Sequence, residues 1–249
     1  MSAPPIESYA VLDSTNAEAL RAVGQGQAAP LVVLAERQSA GRGRRGRQWV
    51  SPFAENLYYS LVLRIEGGMR QLEGLSLAVG LALLQVIREA GVVEAGLKWP
   101  NDVLVGDRKL AGVLLELSGD PADVCHVVIG IGLNVNMLSA ASAAIGQPWT
   151  SMRAELGRVI NRNELVLGLN RHLSHYLDIQ LQHGFSALQG EWQDCHLWQG
   201  RAVMLTAGGE PVTGVVLGVD HSGAVRLLVD GQEHSFSGGE LSMRLRNDS

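Results

Sequence analysis

Two short stretches concentrate the side chains able to do chemistry. The first, AERQSAGRGRRGRQWVSPF (35–53), sets Arg42, Arg44, Arg45 and Arg47 within six residues, spaced by Gly41, Gly43 and Gly46. Guanidinium groups are planar forks of donors that suit phosphate and carboxylate oxygens, and glycines permit unusual φ and close backbone approach. The second, LKWPNDVLVGDRKLAG (97–112), holds both lysines of the chain, Lys98 and Lys109, against eighteen arginines in all. An ammonium is a compact point charge that can hold oxygens of two different groups together. After Pro100, Asn101 and Asp102 set an amide beside a carboxylate, a pair that can hold Mg²⁺ or a ribose, or simply cap a turn.

The glycines of the first stretch also spell G-x-G-x-x-G directly after the apolar run LVVLA. A dinucleotide-binding turn needs a helix to begin within the glycines, because the helix N-terminus holds the pyrophosphate. Gln48 to Pro52 is a poor helix start, so a solvated loop and an anion clamp remain, and the arginine density favours the clamp. Ordering the ~10 residues from Ala40 to Trp49 costs up to roughly 10–20 kcal/mol, whereas each charge-assisted hydrogen bond returns about 1.5–3. Such a loop is expected to close as a lid over a ligand that presents several anionic or polar groups at once.

Further pieces point to the same place. Gly130 and Gly132 interrupt the strand-like VVIGIGLNVN, which marks a bulge or a close backbone approach. Asn134 is suited to an adenine edge, and Trp149 in QPWT to stacking on a purine or covering the core.

The elements that must position these residues alternate along the chain. Asp13-Ser14-Thr15 offers N-caps, Thr15 and Glu18 have capping-box spacing, and a helix is predicted from about Thr15 to Gly24. LVVLAE (31–36) reads as a buried strand. In LYYSLVLRI, Leu57, Tyr59, Leu61, Leu63 and Ile65 share one face, the pattern of a strand covered on one side. Leu75, Val79, Ala82 and Val86 predict a helix ended by Gly91, and residues 103–112 a hairpin turning at Gly106-Asp107. GVLLEL and HVVIGIGLNV supply two more strands, and residues 164–182 and 185–195 are helical. After about Gln199 the chain changes to short alternating runs split by Gly-Gly, Ser-Gly and Asp-Gly, the texture of a small β-barrel.

Composition narrows the classes. With 249 residues, 46% of them hydrophobic and 18% charged, the chain can bury a full core, and 20 basic against 25 acidic residues exclude a surface built wholly for nucleic acid. Any anion site must therefore be local. The opening MSAPPIESYA lacks the regions of a signal peptide, no apolar run approaches the ~20 residues of a membrane span, and two cysteines, Cys125 and Cys195, suit a reducing, cytoplasmic setting.

Taken together, DSTN (13–16), GRGRRGRQW (41–49), KWPND (98–102), RKLAG (108–112), GIGLN (130–134) and GGELSMR (238–244) resemble the biotin-protein ligases, which adenylate biotin and attach it to a carboxylase. The resemblance runs through nearly the whole chain. It implies an α/β (α+β) fold: a mixed-sheet catalytic domain packed with helices over 1–198, and a C-terminal SH3-like β-barrel over 199–249. Residue by residue, it puts biotin against Ser14, Thr15, Asn16, Gln38, Arg42, Gly43, Arg44, Lys109 and Gly112. It sets the adenylate against Trp49, Asn134 and Trp149, with Asn101 and Asp102 near the ATP phosphates and Mg²⁺.

A carboxylate and a triphosphate repel each other, and Lys109, Arg42, Arg44 and Mg²⁺ would supply the positive charge between them. The implied substrates are biotin and ATP, and the implied partner is a lysine of a biotin carboxyl carrier protein. A homodimer is compatible with this picture, and no membrane partner is implied. Only twelve residues precede Asp13, too few for the DNA-binding domain some family members carry, so operator binding is expected to be absent. A lipoate-protein ligase shares the fold and the two-step logic but typically carries a Gly-Gly-Gly-x-Val-x-His-Asp type of loop. An arginine-loop nucleic-acid module is opposed by the scarcity of aromatics near the loop.

Overall fold

The computed structural model describes residues 4–66, 69–120, 123–138, 145–206, 210–237 and 241–246. Its first sheet has seven strands: β1 (Ile6–Tyr9), β2 (Leu31–Ala35), β3 (Leu57–Glu66), β4 (Ala95–Lys98), β5 (Asp102–Val105), β6 (Arg108–Gly119) and β7 (Val124–Leu133). They lie in the order β1-β2-β3-β7-β6-β5-β4. Only β1 and β2 run parallel, and every other pairing is antiparallel, so the sheet is mixed as expected.

The helix α1 (Thr15–Gly24) has the predicted bounds but a different start. Ser14 is the N-cap, its Oγ 3.5 Å from the Ala17 N–H. Thr15 lies inside the helix with its hydroxyl turned to Gln38, while Glu18 pairs with Arg21, so the expected Thr15–Glu18 box does not form. Through Ala19 and Ala22, α1 packs on Leu31, Val33, Val62 and Val128. This second cover explains why β3 is buried on both faces for most of its length rather than on one.

The opposite face carries the main core, built on α2 (Leu75–Glu89) and α4 (Arg162–His183), with the short α3 (Met152–Leu156) and α5 (Gln189–Asp194) at its margins. The helix α2 is buried nearly all round, from Leu75 through Ile87, because sheet and helix enclose it together. The predicted helical stretch over 185–195 opens as a three-residue 3-10 turn, Phe185–Ala187, and becomes α-helical only at Gln189.

The C-terminal strands correct the expected SH3-like barrel. β8 (Ala202–Thr206), β9 (Val212–Val219), β10 (Val225–Val229), β11 (Gln232–Phe236) and β12 (Ser242–Leu245) form an open sheet in the order β11-β10-β9-β8-β12, and among the described residues its two edge strands are not paired with each other. The reason lies in packing. Its inward side chains, among them Val203, Leu205, Val216, Val225, Leu227 and Met243, join the same continuous core as α2, α4 and α5. A sheet whose apolar face is covered by a neighbouring layer has no need to close on itself, and both solutions share one alternating pattern. No helix among the described residues is long and apolar enough to cross a membrane.

The edge strand β4 is covered by the segment after α5: Leu97 N–H donates to the Cys195 carbonyl and Leu197 N–H to the Leu97 carbonyl. Covering an edge in this way satisfies backbone groups that would otherwise invite foreign strands. The cover buries His196 against Trp192, their ring centroids 4.7 Å apart, and burial pushes the imidazole down to about 4. Unfolded histidine takes up its proton near pH 6.5, so this site favours unfolding as the pH falls from about 6.5 through about 4, and the effect is absent above that window. At ~1.4 kcal/mol per pH unit the loss reaches on the order of 3 kcal/mol. Denaturant midpoints at pH 7 and pH 4.5 should therefore differ less in His196→Leu than in the parent chain.

Candidate functional site

A cavity of about 880 Å³ opens where the α1 N-terminus, the arginine stretch, the β4–β5 corner and the first residues of β12 converge. All fourteen residues anticipated for the ligands line it: Ser14, Thr15, Asn16, Gln38, Arg42, Gly43, Arg44, Trp49, Asn101, Asp102, Lys109, Gly112, Asn134 and Trp149.

The arginine stretch is a small hairpin. Arg42 and Gln48 pair across it, Gly43 N–H donates to the Arg47 carbonyl at 2.7 Å, and Trp49 N–H to the Gly41 carbonyl at 2.9 Å. Its tip is a 3-10 turn, Arg44–Gly46, in which Arg45 and Gly46 have positive φ of 58° and 69°. No helix of dinucleotide-binding type follows. All four arginines line the cavity, Arg45 and Arg47 as exposed side chains. Arg44 donates to Asn101 Oδ1 at 3.1 Å and to the Leu241 carbonyl at 2.9 Å, and Arg42 pairs with Glu116 at 3.1 Å.

Beneath the hairpin lies an ion cluster. Asp102 Oδ1 is 2.6 Å from Lys109 Nζ, and Oδ2 is 3.7 Å from Lys98 Nζ. A β-bulge makes this possible. Asp102 faces Gly112 and Val103 faces Ala111, but Leu104 faces Lys109, so Leu110 is an extra residue on β6. Side chains alternate with period two, so the inserted residue turns Lys109 to the Asp102 side of the sheet. Gly112 shares that side, where a Cβ would sit 3.0 Å from Lys109 Nζ. Burial works to raise the Asp102 carboxyl, but the charges of Lys109 and Lys98 outweigh it and hold the group below the usual carboxylate range. Burial pushes Lys98 down against the opposing pull of Asp102, and its ammonium stands 4.7 Å over the Trp198 ring.

The other wall is neutral and polar. Gln38 Oε1 accepts from the Thr15 N–H at 2.9 Å, and Ser60 Oγ is 2.7 Å from Thr15 Oγ1 and 2.6 Å from Asn16 Oδ1. The α1 N-terminus, with its partial positive charge, faces the cavity through these residues. Trp49 lies against the sheet above Gly132, and Lys109 Nζ stands 5.4 Å from its ring centroid. The Trp49 indole nitrogen is buried with no acceptor among the described residues, a donor left for whatever fills the cavity.

Asn134 lines the cavity and is also tied to its wall. Its amide donates to the Thr150 carbonyl at 3.0 Å, which fixes the segment that carries Trp149 beside Lys109. Gly130 and Gly132 are close-approach glycines and not bulges, for the register of β7 with both neighbours is unbroken. Gly238, Gly239 and Glu240 of the GGELSMR motif lie outside the described residues.

Glu116, Ser60, Trp198 and the Leu241 carbonyl escape sequence reasoning. Only Glu116 carries a legible signal, a lone carboxylate two strand steps beyond Gly112 in an apolar run. As to metal, no three His, Cys, Asp or Glu side chains converge among the described residues. Asp102 already faces two ammoniums, a setting that suits lysine better than a protein-held dication.

A cationic cavity roofed by an arginine hairpin at one end of a mixed sheet defines a protein that gathers anionic groups of small molecules. Comparison with known proteins makes the class specific. The model of the biotin/lipoate A/B protein ligase family matches residues 9–134, and that of the biotin protein ligase C-terminal domain matches 200–244. The bifunctional ligase/repressor BirA of Escherichia coli is 38% identical over 94% of this chain and 72% of its own length. The biotin–[acetyl-CoA-carboxylase] ligase of Paracoccus denitrificans is 36% identical over 86% of this chain and 90% of its own. The solved biotin protein ligase of Aquifex aeolicus in complex with biotin and ATP superposes with a TM-score of 0.85 at 28% identity, covering 97% of this chain and 99% of that one. The chain belongs to the biotin protein ligase family.

Gly132 offers a direct test of this geometry. A Cβ there would lie 2.4 Å from the Trp49 indole, so Gly132→Ala must displace the ring. Overpacking of this kind costs about 1–3 kcal/mol. Denaturant unfolding should register that loss together with an altered near-ultraviolet circular dichroism band, and unchanged values in both would place Trp49 elsewhere.

Proposed function

We infer that this protein is an ATP-dependent biotin ligase whose chemistry centres on the Lys109–Asp102 pair beneath the arginine hairpin. The observation that carries the reading is the pair's position: Lys109 Nζ, 2.6 Å from Asp102, lies in the same cavity as the polar wall of Ser14, Thr15 and Asn16 and the Trp49 and Trp149 rings. Biotin lies along Ser14, Thr15, Asn16, Gln38, Gly43 and Gly112, its carboxylate directed at Lys109, Arg42 and Arg44. ATP lies on the side of Trp49, Asn101, Asp102, Asn134 and Trp149, where Asn134 also holds the Trp149 segment. The complex of the Aquifex ligase with biotin and ATP supports both substrates.

The first step needs positive charge between two anions. Lys109 can engage the biotin carboxylate and an α-phosphate oxygen together, which lets the carboxylate attack phosphorus in line as pyrophosphate leaves. Mg²⁺ enters as the counterion of the nucleotide substrate. In the second step a lysine amine of the acceptor attacks the acyl carbon and AMP departs. The acceptor is the biotin carboxyl carrier protein of acetyl-CoA carboxylase. In this division of labour residues 1–198 hold the catalytic groups and 199–249 complete one wall, through the Leu241 carbonyl that receives Arg44.

ATP-dependent transfer of labelled biotin to a purified biotin carboxyl carrier domain tests the reading, and absence of transfer would overturn it. Lys109→Ala should reduce adenylation by on the order of 10²–10³, as loss of one pre-organised charge does, while Lys98 still faces Asp102 and the chain folds with lower stability. Normal biotinyl-adenylate formation in this variant would remove Lys109 from the chemistry.

A second outcome follows from the scarcity of lysine. Arg44→Ala should loosen the hairpin and release the acyl-adenylate, which acylates free amines. Apart from an α-amino group, the chain offers only Lys98 and Lys109, each with a side chain 18% exposed. A lysine-rich bystander protein should therefore be labelled far more heavily than the enzyme. Both lysines pair with Asp102, so residual self-labelling should fall on the α-amino group, which titrates at about 8. Mass spectrometry that found Lys109 heavily labelled instead would contradict its place in the ion cluster.

A further inference from the structure

We propose that Glu116 is a positioning residue that joins the arginine hairpin to the α1 wall of the cavity, a role that rests on the ligase reading of the site and deepens it. Glu116 does not line the cavity and touches no substrate in that reading. It acts through two residues that do.

Its Oε2 accepts a hydrogen bond from Asn16 Nδ2 at 2.7 Å and lies 3.1 Å from Arg42 Nη2. One oxygen thus serves both the first arginine of the hairpin and a side chain of the α1 N-terminus. An ionised carboxylate only accepts, so it compels the amide of Asn16 to turn its NH₂ end outward along β6. Oδ1 is then left at 2.6 Å from Ser60. The floor beneath Asn16 is Gly130, where a Cβ would stand 2.2 Å from Oδ1, so the sheet is shaped to receive this amide in one place.

The same oxygen limits where the hairpin can sit. Arg42 is 42% exposed on its side chain, and an ion pair at such a surface contributes little alone. Because Asn16, itself held by Ser60, fixes the carboxylate, Arg42 meets an acceptor already in place and loses less freedom in binding it. Displacing Asn16 or neutralising Glu116 should therefore reach the other wall. Strand geometry agrees, since Gly112, Leu114 and Glu116 alternate onto one face of β6 and the first two line the cavity.

The test combines a readout that needs no ligand with one that does. In the free protein, trypsin should cleave after Arg45 and Arg47 roughly two- to fivefold faster in Glu116→Gln than in the parent, a range set by loss of a partly exposed ion pair. Glu116→Gln combined with Arg42→Gln should cleave no faster than Arg42→Gln alone, because both remove one interaction. In biotin-dependent ATP–pyrophosphate exchange, Glu116→Gln should raise KM for biotin by a similar factor and leave kcat within about twofold. Gly130→Ala, which displaces Asn16 and spares the carboxylate, should raise KM for biotin in the same way. Unchanged cleavage in Glu116→Gln, additive effects in the double variant, or a fall in kcat at constant KM would each overturn the proposal. Should the parent protein show no biotin-dependent exchange, the ligase reading fails while the cleavage comparison still decides the role of Glu116.

Discussion

One carboxylate held between two ammoniums is the constraint around which the site is organised. Asp102 sits at the start of β5 with Lys109 against one oxygen and Lys98 near the other. Taking charges out of water costs several kcal/mol per ion unless partners compensate, so each of the three residues requires the others. Their excess is one positive charge at the head of a cavity, which suits a carboxylate or a phosphate. The corner after Pro100, the bulge at Leu110 and the bare face of Gly112 all serve this arrangement. Asn101 ties it to the backbone of β6 by exchanging hydrogen bonds with Val113, and to the hairpin by receiving Arg44.

The sheet divides the work between its faces. On one side α2 and α4 build an apolar core that runs without interruption into the C-terminal sheet, and stability is concentrated there. On the other, α1 covers only part of the surface, and the uncovered part is the cavity. The few glycines of β6 and β7 have a common purpose on this second face. They let Asn16, Trp49 and Lys109 lie directly on the backbone, where any side chain would push them away. A rigid floor under groups that must be placed within a fraction of an ångström is what pre-organised binding demands.

The C-terminal sheet closes the system from a distant part of the sequence. Arg44 reaches the Leu241 carbonyl, and the Trp99 indole donates to the Gly223 carbonyl at 3.0 Å. The C-terminal sheet and the arginine hairpin are thereby joined through one guanidinium. Its open form is consistent with such use, since a closed barrel would pair the edge strand β12 whose approach supplies a wall of the cavity.

Local sequence determined a good deal. Cap residues at 13–15 predict α1, and the spacing of apolar residues predicts α2, the hairpin at Gly106 and the strands β2, β3, β6 and β7, because amphipathic periodicity reflects which side of an element is buried; the order of the strands in the sheet is not among these readings. The motifs also bring out every residue that proves to line the cavity on the anticipated list, since arginine density, paired lysines and interrupted strands are unusual enough to be read locally. What only the tertiary structure decided depends on parity, on neighbours and on long-range approach. The bulge that turns Lys109 toward Asp102 is one extra residue in a strand pairing, invisible until the register is known. An alternating C-terminal pattern fits a closed barrel and an open sheet equally, and the choice fell to the helices that cover it. Glu116, Ser60 and the Leu241 carbonyl acquire their roles from partners 44 to 197 residues away, a separation across which no local pattern carries information.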